Sequence, residues 1–274
     1  MNQTVEIICI GNELLIGKTL NTNAQWLAKR ITYLGLMTRR ITVVGDKINE
    51  ITDVITEVIK RKPGFIITTG GLGPTFDDMT LEGIATALDI ELKVNQEALN
   101  MVKNKYLTYF LEGVKESIDL TPHRLKMAKF PEGAKPLPNP VGTAPAASIT
   151  FENSIIFALP GVPSEMKSIF EESIAPAMKE AAKEVTFFEK SIDSIEIMES
   201  SIAPFIDEVM KNNPKVYIKS HPKGTEKIPY IEFHVSSKAR TINKAKKNVT
   251  KALIELTDFI RKNGGKIINE KTKT

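Results

Sequence analysis

The first ninety residues repeat one unit: a short apolar run, a glycine stop, then apolar residues at helical spacing. Val5–Ile10 ends at Gly11, and Leu20, Trp26, Leu27, Ile31 and Leu34 follow. Arg39–Val44 ends at Gly45-Asp46, followed by Ile51, Val54, Ile55, Val58 and Ile59. Phe65–Thr69 runs into Gly70-Gly71-Leu72-Gly73-Pro74, and Leu81, Ile84, Ala85 and Leu88 come next. Val5–Ile10 and Phe65–Thr69 read as buried strands and Arg39–Val44 as a further strand, and the roughly 3.6-residue spacing marks helices. Strand and helix in strict alternation predict an α/β fold with a mostly parallel sheet.

Further along, 95–127 reads as mostly helical, and 130–150, with five prolines, as a constrained loop. Ser154–Leu159 reads as another strand, and Ser164 as the cap of a helix through about residue 183. The remainder predicts a smaller α+β unit. It has strands at Val185–Phe188, Val216–Lys219 and Tyr230–Val235, with helices around 202–209 and 242–256.

Of the 274 residues, 42% are hydrophobic and 26% charged, which excludes wholesale disorder. The lone Cys9 excludes an internal disulfide and a multi-cysteine zinc site; in its apolar run it is a core residue before it is a reactive thiol. No stretch approaches the ~18 apolar residues of a membrane span, and the N-terminus lacks a signal-peptide pattern. The expectation is a cytoplasmic protein with no membrane partner. The net charge of +4 conceals an asymmetry. Residues 1–170 are balanced, 171–210 carry 3 basic and 10 acidic side chains, and 211–274 carry 16 basic and 5 acidic. That shift suggests a boundary near 170–185 and places any polyanion-binding surface after it.

The chemistry concentrates at Thr69-Gly70-Gly71-Leu72-Gly73-Pro74-Thr75-Phe76-Asp77-Asp78. The loop leaves a buried strand and enters a helix, where open α/β sheets bind ligands. Its glycines expose backbone N–H groups to a phosphate, although the spacing matches neither a P-loop nor G-x-G-x-x-G. Asp77 and Asp78 would repel a phosphate. Either they face water and complement the helix dipole, or a divalent cation bridges them to phosphate oxygens. Glu82, one turn on, either supports these carboxylates from behind or simply faces solvent. Glu13 and Asp46 follow the first two strands and reach the same sheet edge, as turn residues or as ligand contacts.

These residues resemble the CinA (competence/damage-inducible) family. The resemblance rests on five motifs in order. They are Gly11-Asn12-Glu13-Leu14-Leu15-Ile16-Gly17-Lys18 with Asn21-Thr22-Asn23-Ala24, Val43-Val44-Gly45-Asp46, the Thr69–Asp78 loop, Leu137–Pro145 and Leu159–Met166. It implies a three-layer molybdopterin-binding-like domain over 1–172 and a KH-type α+β domain over 173–274. It also implies divalent-metal-dependent (Mg, Mn or Co) hydrolysis of ADP-ribose to AMP and ribose 5-phosphate, and a homodimer or larger assembly. The nicotinamide-nucleotide amidohydrolase domain of many members has no counterpart in these 274 residues. Carried over, Asp77 and Asp78 hold the metal and do the catalysis. Gly71, Gly73 and Thr75 cradle phosphate, while Asn139, Gly142 and Thr143 form a facing wall. Gly161, Pro163 and Glu165 make another edge, and Asn21 and Asn23 buttress the first loop.

Two departures matter. Thr121-Pro122-His123-Arg124 stands where members often have Asn-Arg, so only Arg124 is carried over as a phosphate contact, and His123 is read as a surface residue. The turn Pro222-Lys223-Gly224-Thr225 lacks the G-x-x-G clamp of nucleic-acid-binding KH domains, which argues against RNA. Two rivals to hydrolysis stand: molybdopterin binding or adenylylation in the same pocket, and a non-catalytic nucleotide- or RNA-binding module. The cofactor-assembly proteins usually carry Gly-Gly-Thr-Gly where Gly70-Gly71-Leu72-Gly73 stands here, which favours hydrolysis.

Overall fold

The computed structural model describes residues 2–113, 119–183, 185–225 and 228–273, with side chains through residue 269. The chain divides into two compact units, Met1–Thr32 with Leu36–Ala181, and Tyr33–Gly35 with Ala182–Thr274.

The first unit runs β1 (Thr4–Ile10), α1 (Asn12–Leu15), α2 (Thr22–Tyr33), β2 (Met37–Val44), α3 (Ile48–Lys60), β3 (Phe65–Thr69), α4 (Thr80–Leu88), β4 (Leu92–Val94), α5 (Gln96–Leu111) and α6 (Pro122–Lys126). β5 (Lys129–Pro131), β6 (Lys135–Leu137), β7 (Ala146–Phe151), β8 (Ser154–Leu159), α7 (Pro163–Ile169) and α8 (Ala175–Ala181) follow, with a π-helical turn at Phe170–Ile174. The main sheet has the order β2-β1-β3-β8-β7-β6. Its first four strands are parallel. β7 and β6 are antiparallel additions.

Every residue of β1 and β3 is buried, as continuous apolar runs require. Ile8, Ile10, Ile66 and Ile156 face α3, α4 and α5 through Ile51, Ile55, Ile84 and Val102. Ile7, Cys9 and Ile67 on the opposite face are equally shielded, so helices cover both sides. The chain's single tryptophan, Trp26, meets Phe170 edge-on with ring centroids 5.4 Å apart. Glu6, 1% exposed, sits in β1 against Arg61, whose guanidinium donates to both carboxylate oxygens. That bidentate pairing is what permits a carboxylate inside a sheet.

The structure corrects several expectations. The proline-rich stretch is a loop only in part: 138–145 is one, but β5, β6 and β7 flank it. Pro136 is accommodated because β6 is the sheet's edge strand, where a missing N–H costs nothing. The helix after Leu159 is capped at Val162 with Pro163 in the first turn, so Ser164 lies inside it. The stretch 95–127 resolves into α5 and the short α6, with 114–118 outside the described residues.

The second unit comprises β9 (Thr186–Ile195), α9 (Glu199–Asn212), β10 (Val216–Pro222), β11 (Tyr230–Ala239), α10 (Ile242–Lys262) and β12 (Lys266–Lys273). It forms one antiparallel sheet, order β10-β11-β9-β12. Phe188, Ile192, Phe233 and Val235 meet Ile202, Ile206, Val249 and Leu256 of the two helices. β9 is ten residues long where the apolar pattern marks only its start, and β12 has no apolar run to announce it.

Candidate functional site

β2 and β3 flank β1 on opposite sides, so the chain reverses its direction of travel across the sheet at β1. At such a switch point the loops leaving adjacent strands part and leave a crevice beyond their carboxyl ends. Here the parting loops are Gly11–Asn21 after β1 and Gly70–Met79 after β3. The cleft they enclose measures about 530 Å³.

Local sequence dictates the β3 loop. Gly70 and Gly71 have φ of +106° and +66°. A Cβ on Gly70 would collide with the Ile10 carbonyl oxygen, and one on Gly71 with the Thr80 hydroxyl. Only glycine combines that φ with that closeness. Thr80, fully buried, donates its hydroxyl to Gly70 O at 2.7 Å and its N–H to Gly71 O at 3.1 Å, clamping the loop to the start of α4. Lys126 of α6 donates to Thr75 O from the other side. The Gly70 N–H is spent on Leu159 O at the sheet edge. Among the described residues, the N–H groups of Gly71, Leu72 and Gly73 have no hydrogen-bond partner, and Gly71 and Gly73 line the cleft.

Asp77 and Asp78 line the same cleft. The Thr75 hydroxyl lies within hydrogen-bond reach of both carboxylates, 2.6 Å from Asp78 Oδ2, and the Thr75 N–H donates to Asp78 Oδ2 at 2.7 Å. One hydroxyl has one proton, so it satisfies one of the two carboxylates at a time. Hydrogen bonding from Thr75, with the backbone and the Lys126 charge, holds the Asp77 carboxyl below its ordinary range. Among the described residues, no group of three or more His, Cys, Asp or Glu side chains is placed to hold a metal. Two carboxylates alone suit a hard cation whose other ligands are water and substrate phosphate.

The other walls come from the remaining motifs. Glu13, Asn21, Asn23, Asp46, Thr143, Gly161, Pro163 and Glu165 all line the cleft. Asp46 accepts from Asn12 N at 2.9 Å and so holds the start of α1. Asn21 accepts from Ala24 N, and Asn23 donates to Gly161 O at 2.7 Å. Asn23 Oδ1 is buried and has no partner among the described residues. Three expected contacts stand elsewhere. Asn139 lies behind the wall, donating to Glu165 Oε2 at 2.7 Å and to Ala144 O, while its Oδ1 accepts from Val141 N and Gly142 N. Gly142 is part of that turn and packs against the Glu165 carboxylate. Arg124 stacks over the Tyr106 ring at 3.9 Å and donates to Asp119 O, and Tyr106 takes the place at the cleft. The Thr75 donors are engaged inside the loop, so a ligand in the cleft meets the glycine N–H groups rather than Thr75. Tyr106 and Lys126 carried no sequence signal, each being one of many such side chains in a helical stretch.

Comparison with known proteins identifies the family of the first unit. A family model described as "Probable molybdopterin binding domain" matches residues 6–180, nearly the whole first unit. The chain belongs to this molybdopterin-binding-domain family. Within the curated proteins, one from Pyrobaculum arsenaticum is 44% identical over 260 residues, 94% of this chain and 95% of its own. Another, from Sulfurisphaera tokodaii, is 44% identical over 264 residues, 96% and 97% of the two chains. A solved structure, the CinA protein of Thermoplasma acidophilum, is 39% identical with a TM-score of 0.58, covering 66% of this chain and 98% of that one. The domain is thus CinA-like and of the molybdopterin-binding type. No helix among the described residues is long and apolar enough to cross a membrane.

Proposed function

We propose that the cleft binds a phosphate-bearing heterocycle of the molybdopterin or nucleotide class. The supporting observation is the run of unpartnered N–H groups at Gly71–Gly73 on the switch-point edge of the sheet, which offers a phosphate several donors at once. Membership of the molybdopterin-binding-domain family points to the same ligand chemistry.

A second reading is hydrolysis of ADP-ribose, favoured by the two carboxylates that converge on one Thr75 hydroxyl. Asp77 and Asp78 would hold a divalent ion, Mg²⁺, Mn²⁺ or Co²⁺, which when bound neutralises diphosphate charge and lowers the pKa of water. The chain's own part is to orient the diphosphate on the glycine N–H groups and to keep two carboxylates beside it. Water then adds to one phosphorus and the bridging oxygen leaves, giving AMP and ribose 5-phosphate. The KH-type reading of the second unit and a homodimeric or larger assembly also belong to this proposal, and light scattering tests the latter.

Calorimetry with ADP-ribose, AMP and a phosphorylated pterin, with and without each metal, tests both readings, with chromatography for released AMP. Binding without AMP release supports the first. Metal-dependent AMP release that Asp77→Asn plus Asp78→Asn abolishes supports the second. No binding of any phosphorylated ligand refutes both.

A further inference from the structure

The basic end of the chain folds into a feature that the first unit's chemistry does not use. Two adjoining grooves on the second unit, of about 760 and 230 Å³, share Pro214, Lys215 and Val216. The larger adds Lys238, Arg240 and Lys244, and the smaller adds Lys247 and Lys251. Among the described residues, no carboxylate lines either groove. Glu255, beside the smaller one, is engaged by Asn213 at 2.9 Å and Lys251 at 3.6 Å.

The cations are arranged rather than scattered. Lys244, Lys247 and Lys251 recur at helical spacing along α10, so they form one stripe about 10 Å long at 1.5 Å per residue. The same helix begins at the groove, with Thr241 capping Lys244 N and no acidic residue in its first turn, so its positive end adds to the field. The walls are fixed: Ser237 donates to Lys215 O at 2.7 Å, and Asn248 donates to Ser237 Oγ at 3.1 Å. Two aromatic rings line the larger groove only, on the sheet face away from the helix core. Tyr217 is 59% exposed, and Phe187 is held edge-on by Tyr33 at 5.5 Å.

We propose that this groove is a binding surface for single-stranded nucleic acid, the lysine stripe following the phosphates and Tyr217 stacking on a base. A cationic track with an exposed ring, here Tyr217, is the chemistry that single strands require and that a plain polyanion does not. The groove lies where β10 begins and β11 ends. The Pro222–Thr225 turn closes the opposite end of that hairpin, so the missing G-x-x-G has no bearing on it.

The test is fluorescence anisotropy of labelled 12-nucleotide oligouridylate and oligothymidylate with the full chain, over a range of salt. Lys215→Ala, Lys244→Ala and Lys247→Ala together are expected to flatten the slope of log affinity against log salt by about 2, since each phosphate that a lysine no longer neutralises removes about 0.7. Tyr217→Ala is expected to weaken binding at least about fivefold and Tyr217→Phe to restore it. Lys60→Ala, Lys103→Ala and Lys135→Ala, exposed lysines of the first unit, are expected to change neither. No binding in 50 mM salt overturns the proposal, as does an equal loss in the two lysine triples. Binding that ignores Tyr217→Ala and is matched by long-chain polyphosphate overturns it in favour of a general polyanion surface. ADP-ribose or pterin binding is unchanged in all groove variants, so this proposal fails or stands apart from the one above.

Discussion

Thr80 and Thr68 are both fully buried threonines of the first unit, twelve residues apart, and valine should affect them in opposite directions. Thr80 donates its hydroxyl to the Gly70 carbonyl at 2.7 Å. Thr80→Val removes that donor and leaves a buried carbonyl short of a partner, at a cost of about 1–3 kcal/mol. Thr68 Oγ1 is buried with no partner among the described residues. Thr68→Val removes an unsatisfied hydroxyl and adds apolar contact, a gain of up to about 1 kcal/mol. Urea unfolding followed by fluorescence of Trp26, the only tryptophan, reports on this unit alone. With a urea dependence of about 2.5 kcal/mol per molar, Thr80→Val lowers the midpoint by about 0.4–1.2 M and Thr68→Val raises it by up to about 0.4 M. Thr80→Val alone should also weaken phosphate-ligand binding, because it releases the loop. Equal shifts in the same direction for the two variants would refute the claim that the Thr80 clamp holds the site.

Asn139→Ala, which frees Glu165 and the turn that forms one wall, is expected to cost about 1–2 kcal/mol in the same unfolding assay and to weaken ligand binding in calorimetry. Asn139→Asp should be worse than alanine, since it sets a second carboxylate against Glu165. The Asp77 carboxyl is held low by Thr75, so its charged form persists as pH falls and is lost only below the ordinary carboxylate range. Mn²⁺ binding by the full chain, titrated from pH 6 to 3.5, should therefore survive to lower pH than in Thr75→Val. Identical profiles would remove Thr75 from that role. Asp77 is at the surface, so the shift is read in affinity and not in stability.

What the residues disclosed in advance follows from how each element is buried. β1 and β3 are shielded on both faces, so they are unbroken apolar runs, and the glycine stops after them locate the switch point and the cleft. β6 and β7 were hidden because prolines and alanines read as loop, and only the edge position of β6 makes Pro136 admissible. Beyond Phe188, β9 continues as Glu189-Lys190-Ser191, and β12 as Lys266-Ile267-Ile268-Asn269, neither an apolar run. Their pairing is set by partners across the sheet. At the site, backbone-dependent residues such as Gly70, Gly71 and the aspartates were readable. Asn139 reads as a wall residue because sequence does not tell a side chain that faces a ligand from one that holds its neighbour.

Cys9 is the chain's only thiol, fully buried in β1 between Val43 and Thr69 on the neighbouring strands. A thiol reagent in water meets it only when that strand is uncovered, so its labelling rate times the opening of the sheet beneath the cleft. A ligand that grips the loops leaving β1 and β3 must slow this clock, by about one plus its concentration over its Kd when opening destroys the site. The molecule thus carries its own gauge of occupancy, one that counts bound ligand of any chemistry and needs no turnover to be read.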